Sequence, residues 1–352
     1  MIEADVVIVG GGPAGCATAL TLMQRGLSAV VISTSAKSKK PTETAVPVLA
    51  QILRALNAED ALRGCEPCYG ICSGWGRKVP ALQPSIIDPF GHAWFIHRSR
   101  FDDYLQHATR EVGTIWLHER ARSVDFDADG VCVTTTATPV RARWLVAATG
   151  SPAWLARITG QKQLSLDTLI AFWGYLPITL EARLLFVEPT DYGWWYLCPA
   201  DGEQAVACFV TDPQSARALR VADVHIWNKL ILQTMLIRPL KCQSSSRFLH
   251  AAPVGLSALP RKYGHRWIAV GDAAAKLDPI GSSGTIAALD SGQRAAHAIA
   301  DALQGSFERA EGYDRWNSAL VQKFARQRDR HYELEGSRRI GGFWSRRLSD
   351  AA

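Results

Sequence analysis

The sequence contains no apolar run long enough to cross a membrane, since a spanning helix needs roughly 18 or more consecutive apolar residues. It also begins without a basic leader or a cleavage site, because its first residues lead directly into a strand pattern. We therefore expect a cytoplasmic protein. No internal repeat and no low-complexity linker divides the 352 residues, and 47% of them are hydrophobic. Such a chain can bury a substantial core, and its length predicts two or three structural units.

A disulfide framework is also missing, although the chain contains eight cysteines. They are scattered through core-like segments, as is typical of reduced thiols that pack as small hydrophobic groups. Cys65, Cys68 and Cys72 have a spacing that could hold zinc or begin an iron–sulfur site. No second pair of cysteines or histidines follows at the usual separation. We therefore expect no bound metal.

Positive charge is in only slight excess, with a net charge of +6 at pH 7. Nucleic-acid binding needs basic and aromatic residues interleaved in a recognisable module, and the sequence has none. Much of the excess lies near the C-terminus, where two interpretations stay open: a solvated basic helix, or a docking surface for an acidic protein. The basic residues concerned are Lys323, Arg326, Arg328, Arg330, Arg338, Arg339, Arg346 and Arg347.

The N-terminal pattern predicts a complete β-α-β unit. Residues 5–9 form a short apolar strand pattern that ends in glycines, residues 16–25 have helical periodicity, and residues 29–32 form a second apolar strand. A polar loop is predicted over residues 33–44. Further helices are predicted over residues 46–56, 101–112 and 285–303, with a helical tail at the end of the chain.

The remaining segments are predicted to form strands of two different sheets. Residues 114–149 and 267–270 are strand-rich and are assigned to the same domain as the N-terminal unit. Residues 169–177, 192–197 and 204–211 alternate apolar and polar residues, as the strands of a separate sheet do. We predict an α/β protein with a three-layer Rossmann-like fold, an inserted mixed β-sheet domain and a helical tail. The predicted domains are residues 1–165 with 256–305, residues 166–255, and residues 306–352.

A glycine-rich loop, Gly10-Gly-Gly-Pro-Ala-Gly15, follows the first strand and begins the first helix. Gly10 permits the tight turn, Gly12 allows the backbone to approach a pyrophosphate, and Gly15 allows close helix–strand packing. Pro13 and Ala14 complete the turn, and the pyrophosphate is expected at the helix N-terminus, where unpaired N–H groups favour an anion. The loop therefore predicts a dinucleotide site.

The second strand lacks the acidic residue that usually binds the ribose hydroxyls of a dinucleotide. It ends instead at Ser33 and Thr34, so ribose binding must use hydroxyl groups or a different residue. The first loop alone consequently allows either FAD or NAD.

A second glycine-rich region follows the strand pattern at residues 267–270. It begins with Gly271 and Asp272 and continues into Pro279, Gly281, Ser282, Ser283 and Gly284, which precede a helix. Backbone N–H groups at such a helix start can stabilise negative charge on a bound cofactor. Asp272 could alternatively cap the turn that follows it. Arg98, near Phe101 and Asp102 at another helix start, suits a phosphate or ribityl contact, or is a surface arginine.

These three motifs together resemble those of the FAD-dependent aromatic hydroxylase superfamily, the group A monooxygenases, which also contains the flavin halogenases and geranylgeranyl reductases. The resemblance implies an FAD-binding fold of the aromatic hydroxylase and glutathione reductase kind. It places Asp272 on the ribityl chain, the loop Pro279–Gly284 at the flavin pyrimidine edge, and Arg98 near the flavin. It also implies FAD contacts by Ala121 and Gly150.

Several aromatic motifs are similar to those of one halogenase-like subgroup, the flavoproteins that mature quinone cofactors. The motifs are Gly74–Gly76, Phe90–Arg98, Ala171–Pro177, Gly193–Tyr196 and Gly342–Arg347. Members hydroxylate a tryptophan of a partner amine dehydrogenase or amino-acid oxidase. The resemblance thus implies an FAD monooxygenase whose partner is the precursor protein of a quinone-cofactor enzyme. Two alternatives stay open: a hydroxylase or reductase of a small aromatic or apolar metabolite, and a chaperone-like protein that binds flavin weakly.

Two departures from the superfamily pattern limit the chemistry. Phe172–Pro177 replaces the W-x-W-x-I-P motif of flavin halogenases, and Tyr69-Gly70 stands near their catalytic lysine, so halogenation is disfavoured. Val146–Gly150 lacks the aspartate that helps aromatic hydroxylases bind NADPH, so the electron donor is not identified.

The catalytic candidates are Glu43, Trp195 and His92. Glu43 matches a glutamate common in the halogenase-like group, and it either reaches the isoalloxazine or favours a helix start. Trp194 and Trp195 point to opposite faces if they lie on a strand, so at most one faces the flavin. Most of the twelve tryptophans are expected to be core residues. His92 and His97 are conceivable acid–base groups, although a structural role is the other interpretation of each.

Overall fold

The computed structural model describes residues 1–34, 40–240, 248–339 and 341–349. Their strands are, in chain order, β1 (Ile2–Val9), β2 (Ala29–Ile32), β3 (Glu43–Ala45), β4 (Cys65–Cys68), β5 (Gly70–Ser73), β6 (Ala81–Pro84), β7 (Ala93–Ile96), β8 (Ile115–Leu117), β9 (Ser123–Phe126), β10 (Val131–Thr134), β11 (Val140–Ala147), β12 (Leu164–Ser165), β13 (Ile170–Leu176), β14 (Leu184–Thr190), β15 (Gly193–Pro199), β16 (Ala205–Thr211), β17 (His250–Pro253), β18 (Ser257–Ala258), β19 (Tyr263–Gly264), β20 (Trp267–Ala269) and β21 (Ala275–Lys276). The helices are α1 (Pro13–Gln24), α2 (Leu49–Ala55), α3 (Arg98–Glu111), α4 (Pro152–Thr159), α5 (Pro213–Leu219), α6 (Val224–Ile231), α7 (Gly284–Leu303), α8 (Glu308–Gly336) and α9 (Gly342–Ser349).

The first sheet has β1 at its centre, parallel to β11 on one side and to β2 on the other. Its order is β19-β20-β11-β1-β2-β8, and β10 and β9 extend β11 as an antiparallel pair. Val6 and Ile8 pack against α1 and α7, whereas Val7 and Val9 pack on the other side against β9, β10 and α4. Burial on both faces explains the uninterrupted apolar run of β1. The predicted three-layer Rossmann-like fold is confirmed.

The second sheet is mixed, with the order β17-β13-β16-β15-β14-β5-β6. β14 and β5 run parallel, and the other pairs are antiparallel. One face is covered by α5 and α6, whose Trp227 is fully buried against it. The other face packs against Phe95 of β7, Tyr332 of α8 and Trp344 of α9. β5 and β6 belong to this sheet, although the predicted division assigned residues 70–84 to the first domain.

Two local predictions differ from the structure. The predicted loop over residues 33–44 already contains the start of β3, because Glu43 pairs with Ile96 of β7; residues 35–39 lie outside the described residues. The helix predicted over residues 46–56 begins at Leu49. The pairing of β3 with β7 depends on residues distant in the chain, which local sequence patterns do not specify.

The C-terminal tail is helical, as predicted, but half of its basic side chains are bound to the protein's own acids. Arg328 pairs with Asp329, and Arg339 pairs with Glu335. Arg346 and Arg347 both pair with Asp212, which precedes α5. The tail is therefore neither a uniformly solvated helix nor a uniformly free docking surface.

Among the described helices, none is long and apolar enough to cross a membrane.

The contact between α1 and α7 depends on Gly292, and it gives a stability prediction. A Cβ at residue 292 would lie 2.4 Å from the carbonyl oxygen of Ala14, so Gly292→Ala must separate the two helices. We expect a loss of about 1–3 kcal/mol in the free energy of unfolding, as overpacking usually costs. Gly312→Ala on α8, where a Cβ would meet nothing within 4 Å, is the matched control. It should be neutral or stabilise by about 0.5–1 kcal/mol through helix propensity. Thermal unfolding of both variants tests this difference, and equal melting temperatures would contradict it.

Candidate functional site

One large cavity of about 1090 Å³ lies between the two sheets. It begins at the carboxyl ends of β1 and β2 and continues to the inner face of the second sheet. Its size is sufficient for an extended cofactor together with a substrate group. The predicted residues that line it are Gly10, Gly12, Pro13, Ala14, Ser33, Thr34, Glu43, Arg98, Ala121, Gly150, Asp272, Pro279, Ser282, Ser283 and Gly284.

The first glycine-rich loop has the geometry that a pyrophosphate requires. Gly10 has a φ of +118°, and a Cβ there would lie 2.1 Å from the carbonyl oxygen of Ala148. Gly12 caps α1 without any side-chain hydrogen bond, and a Cβ at Gly12 would meet nothing within 4 Å. The N–H groups at the start of α1 are therefore open to the cavity. Gly15 does not line the cavity; it packs against the carbonyl oxygen of Gly10, as helix–strand packing predicts.

A carboxylate lies near the strand end where the acidic residue is missing. Ile32, just before Ser33, pairs with Leu117 of β8, and Glu119 follows β8 and lines the same cavity. Glu119 accepts hydrogen bonds from the Thr135 hydroxyl and from backbone N–H groups, which lower its pKa to about 2. Sequence reasoning missed Glu119 because its place beside Ser33 depends on strand order, which local motifs do not specify.

Arg98 holds Glu43 in a buried ion-pair cluster. Its Nη1 lies 2.9 Å from Glu43, while its Nε and Nη2 bind both oxygens of Asp102 at 3.1 and 3.0 Å. Thr285 donates a further hydrogen bond to Glu43 at 2.9 Å. Burial raises the pKa of Glu43, but Arg98 and Lys40 outweigh it and keep that pKa below its ordinary value. Arg98 is thus not a free surface arginine, and its guanidinium is already occupied by two carboxylates.

Asp272 faces the cavity and lies within the 3-10 turn Gly271–Ala273. That turn begins after Val270 and has no side-chain cap, so Asp272 does not act as its N-cap. Lys40 lies 3.9 Å from the Asp272 carboxylate. Burial raises the pKa of Asp272, and the charges of Lys40 and Lys276 oppose that effect. Gly271 itself lies behind the cavity surface, where a Cβ would lie 2.8 Å from the Ala14 side chain, so this glycine lets the two loops meet.

The loop Pro279–Gly284 presents the N-terminus of α7 to the cavity. Its first residues form a 3-10 turn, Ser282 has a φ of +47°, and the Ser282 hydroxyl lies 2.6 Å from that of Thr44. No side chain caps α7, so its first N–H groups and its dipole favour negative charge in the cavity. Gly281 is a packing residue rather than a cavity residue, because a Cβ there would lie 2.3 Å from the ring of Phe324.

Aromatic and aliphatic side chains of the second sheet form the far end of the cavity. They come from alternate positions of neighbouring strands: Ala171, Trp173, Leu185, Val187, Trp194, Tyr196 and Cys198. Trp195 points to the opposite face, where its ring stacks on Phe209 at 4.8 Å and contacts Trp227 at 5.1 Å. This placement corrects the expectation for Trp195, since strand alternation brings Trp194 to the cavity instead.

The two histidines are placed outside the cavity. His92 is half-buried, bonds to the carbonyl oxygen of Ala93 and lies against Trp94, so the structure does not bring it to the other catalytic candidates. His97 is buried between Glu66 at 3.2 Å and Asp201 at 3.3 Å. Both histidines therefore have the positions expected of structural residues rather than of acid–base groups at the cavity.

A buried hydrogen-bond chain connects the aromatic end of the cavity with the Pro279–Gly284 loop. The indole Nε1 of Trp194 donates to the Tyr332 hydroxyl at 3.1 Å, and that hydroxyl donates to Asp278 at 3.3 Å. Tyr332 belongs to α8, and Asp278 immediately precedes Pro279. The C-terminal helix consequently takes part in positioning both ends of the site.

The carboxyl of Asp278 is perturbed by this environment. Burial raises its pKa to about 6, and the nearby charge of Asp167 adds to the effect. The N–H of Ile280 and the charges of Arg328 and Arg347 act in the opposite direction. Part of the Asp278 population is consequently protonated in mildly acidic solution.

No group of histidine, cysteine or carboxylate side chains within the described ranges is arranged to bind a metal ion. Cys65 and Cys68 lie on β4, whereas Cys72 lies on β5 in the second sheet. Their close sequence spacing therefore does not bring the three thiols together.

Comparison with known proteins agrees with this geometry. The pyridine nucleotide-disulphide oxidoreductase family matches residues 4–172. A Marinomonas mediterranea protein named as the FAD-dependent oxidoreductase LodB is 25% identical over 99% of this chain and 98% of its own length. The myxobacterial chondrochloren halogenase CndH has a TM-score of 0.87 at 21% identity, covering 99% of this chain and 86% of its own. The peptidyl tryptophan dihydroxylase QhpG, described as essential for tryptophylquinone biogenesis, has a TM-score of 0.78 at 21% identity, covering 98% and 78%.

The two glycine-rich loops and these likenesses define an α/β FAD-binding protein with the fold of halogenases and hydroxylases. The chain is an FAD-dependent oxidoreductase. The uncapped starts of α1 and α7 both offer free backbone N–H groups to the cavity, and such groups suit the negatively charged parts of this cofactor.

The Asp272 carboxylate, which faces the cavity, gives a prediction about cofactor retention. We expect Asp272→Ala to weaken FAD binding about tenfold to a hundredfold, because a hydrogen bond to a charged group contributes about 1.5–3 kcal/mol. Asp125→Ala, an exposed carboxylate on β9, is the matched control and should retain FAD. Fluorescence titration of the apoprotein measures both affinities. Equal affinities would show that Asp272 does not bind the ribityl chain.

The raised pKa of Asp278 predicts a specific pH dependence of stability. The folded chain binds this proton more tightly than the unfolded chain, so the stabilisation is present at low pH and is lost as the pH rises through about 6. Between pH 4 and 7, the free energy of unfolding should fall about 2 kcal/mol more in the wild type than in Asp278→Asn. Asp125→Asn controls for removal of one carboxylate. Denaturant unfolding across this pH range makes the comparison, and parallel profiles for wild type and Asp278→Asn would contradict it.

Proposed function

We propose that this protein is an FAD-dependent monooxygenase that hydroxylates a tryptophan side chain of a partner protein while a quinone cofactor forms in that partner. The observation that carries the proposal is the continuity of one cavity from Gly12 to Trp173 and Trp194. A planar cofactor held at one end would leave a ring-sized space bounded by indole and phenol groups at the other. Such faces suit an aromatic substrate group.

Each part of the chain has a distinct task in this proposal. Bound FAD, once reduced, supplies the activation of dioxygen for transfer of an oxygen atom to an electron-rich ring. The start of α1 binds the pyrophosphate, and the start of α7 stabilises negative charge on the cofactor. Trp194 and Tyr196 orient the substrate ring and exclude water, and the Tyr332 hydroxyl fixes the Trp194 indole. The ion pair with Arg98 holds the Glu43 carboxylate at the cavity. This carboxylate therefore keeps its position without a contact to the cofactor.

The likeness to QhpG supports a peptidyl tryptophan as the substrate class, since that protein is described as acting on one. Halogenation has less support in this chain. Tyr69, which stands near the position of the halogenase lysine, is 53% exposed and does not line the cavity. The small-metabolite alternative predicts that free aromatic compounds are hydroxylated, so free tryptophan is tested as well as a peptide.

The proposal is tested by measuring oxygen transfer from the reduced protein. FAD is reduced anaerobically with dithionite, and the protein is mixed with oxygenated buffer that contains a twelve-residue peptide with one tryptophan. We expect the peptide mass to increase by one or two oxygen atoms. Free tryptophan and sodium bromide are tested in parallel. Oxygen addition to free tryptophan alone would support the metabolite alternative, and a bromine isotope pattern would support halogenation.

A matched pair of variants on β14 locates the reaction. Val187 lines the cavity and Phe186 points to the other face of the same sheet. Val187→Trp should fill the substrate end and reduce peptide hydroxylation more than tenfold, with FAD content unchanged. Phe186→Trp should retain at least half of the activity. Hydroxylation that survives Val187→Trp would show that the substrate ring does not occupy this end of the cavity.

A further inference from the structure

Six exposed cations form a patch that the enzyme site does not use, here called the basic ridge: Lys323, Arg326, Arg330, Arg338, Arg77 and Lys78. None of the six forms an ion pair with any carboxylate of the described residues, in contrast to Arg328 and Arg339 on the same segment. Glu333 adds one exposed carboxylate to this stretch, so the ridge keeps a net positive charge.

The two segments of the ridge are joined by a specific contact. The N–H of Gly76 donates to Glu335 at 2.7 Å, which places the loop between β5 and β6 against the end of α8. Two apolar side chains lie exposed between the cations: Leu334, 57% exposed, and Val79, 75% exposed. Cations around exposed apolar groups are a composition that suits a protein interface more than plain solvent.

The basic ridge also lies close to the substrate end of the cavity. Trp75 immediately precedes Gly76, and its ring centroid is 6.1 Å from that of Trp194, which lines the cavity. The Trp75 indole is fixed by a hydrogen bond to the carbonyl oxygen of His331 on α8. One indole ring therefore separates the ridge from the proposed substrate position.

We propose that the basic ridge docks an acidic segment of the protein substrate. This inference rests on the proposed function for the identity of the substrate, but its charge argument stands independently. An acidic segment would neutralise cations that have no partner in the described chain, and Leu334 and Val79 would be covered in the same contact. Attraction between opposite charges also steers association and weakens as ionic strength rises.

The experiment uses two synthetic peptides as probes, each with one tryptophan and a fluorescent label. One carries a run of six glutamates beside the tryptophan, and the other carries glutamines there. Fluorescence anisotropy with the FAD-loaded full chain gives both dissociation constants. We expect the acidic peptide to bind at least tenfold more tightly, with an affinity that falls as salt is added. Equal affinities would overturn the docking proposal.

A charge-reversal pair separates the ridge from net charge. Arg326→Glu with Arg330→Glu, and the control Lys162→Glu with Lys229→Glu, each lower the net charge by four, from +6 to +2. The ridge variant should bind the acidic peptide at least tenfold more weakly, whereas the control should remain within twofold of wild type. Equal weakening in both variants would assign the effect to net charge and reject the ridge. Tighter binding of duplex DNA or phosphatidylserine vesicles than of the acidic peptide would reject a protein partner.

The mass assay distinguishes failure of docking from failure of the proposed function. If the acidic peptide binds the ridge but gains no oxygen, the docking proposal stands and the hydroxylase proposal fails. If both peptides gain oxygen equally and the ridge variant is as active as wild type, hydroxylation stands and docking fails.

Discussion

The close approach of two distant loops at Ala14 is the constraint on which the rest of the site depends. Gly271 lies against the Ala14 side chain, and Gly292 lies against its carbonyl oxygen. These contacts bring the first residues of the chain to a segment more than 250 positions later. In this arrangement the N-terminus of α7 and the loop Pro279–Gly284 face the cavity. The absence of a side chain at Gly271 and at Gly292 makes this close approach possible.

The sequence predicted the fold well where local patterns and backbone requirements agree. Gly10 has the positive φ that its tight turn requires, and β2 has the predicted bounds, Ala29–Ile32. Prediction was weaker where a role depends on neighbours distant in the chain. Gly281 fits a cofactor motif, yet it packs against Phe324 of α8. Glu119 is in no recognised motif, yet strand pairing places it at the cavity.

The aromatic residues illustrate the same limit. Alternation along a strand predicted that Trp194 and Trp195 face opposite ways, and the structure confirms that geometry. Which of the two faces the cavity depends on the helices that cover the sheet, and α5 and α6 occupy the Trp195 side. A sequence pattern of period two specifies two faces without saying which one is covered. The basic tail shows the same limit. Some of its arginines pair with the protein's own acids and others face solvent, and only the folded structure determines which.

The hydrogen bond from the Trp194 indole to the Tyr332 hydroxyl has a consequence for which segments of this chain can be exchanged separately. The indole on the second sheet, the phenol on the C-terminal helix and the carboxyl ahead of Pro279 form one hydrogen-bonded unit. A chimera that exchanges the C-terminal helix between relatives would leave a buried acid and an indole without their shared partner. Recombination within this architecture should therefore transfer β15, the Asp278 loop and α8 together, although they are far apart in the gene.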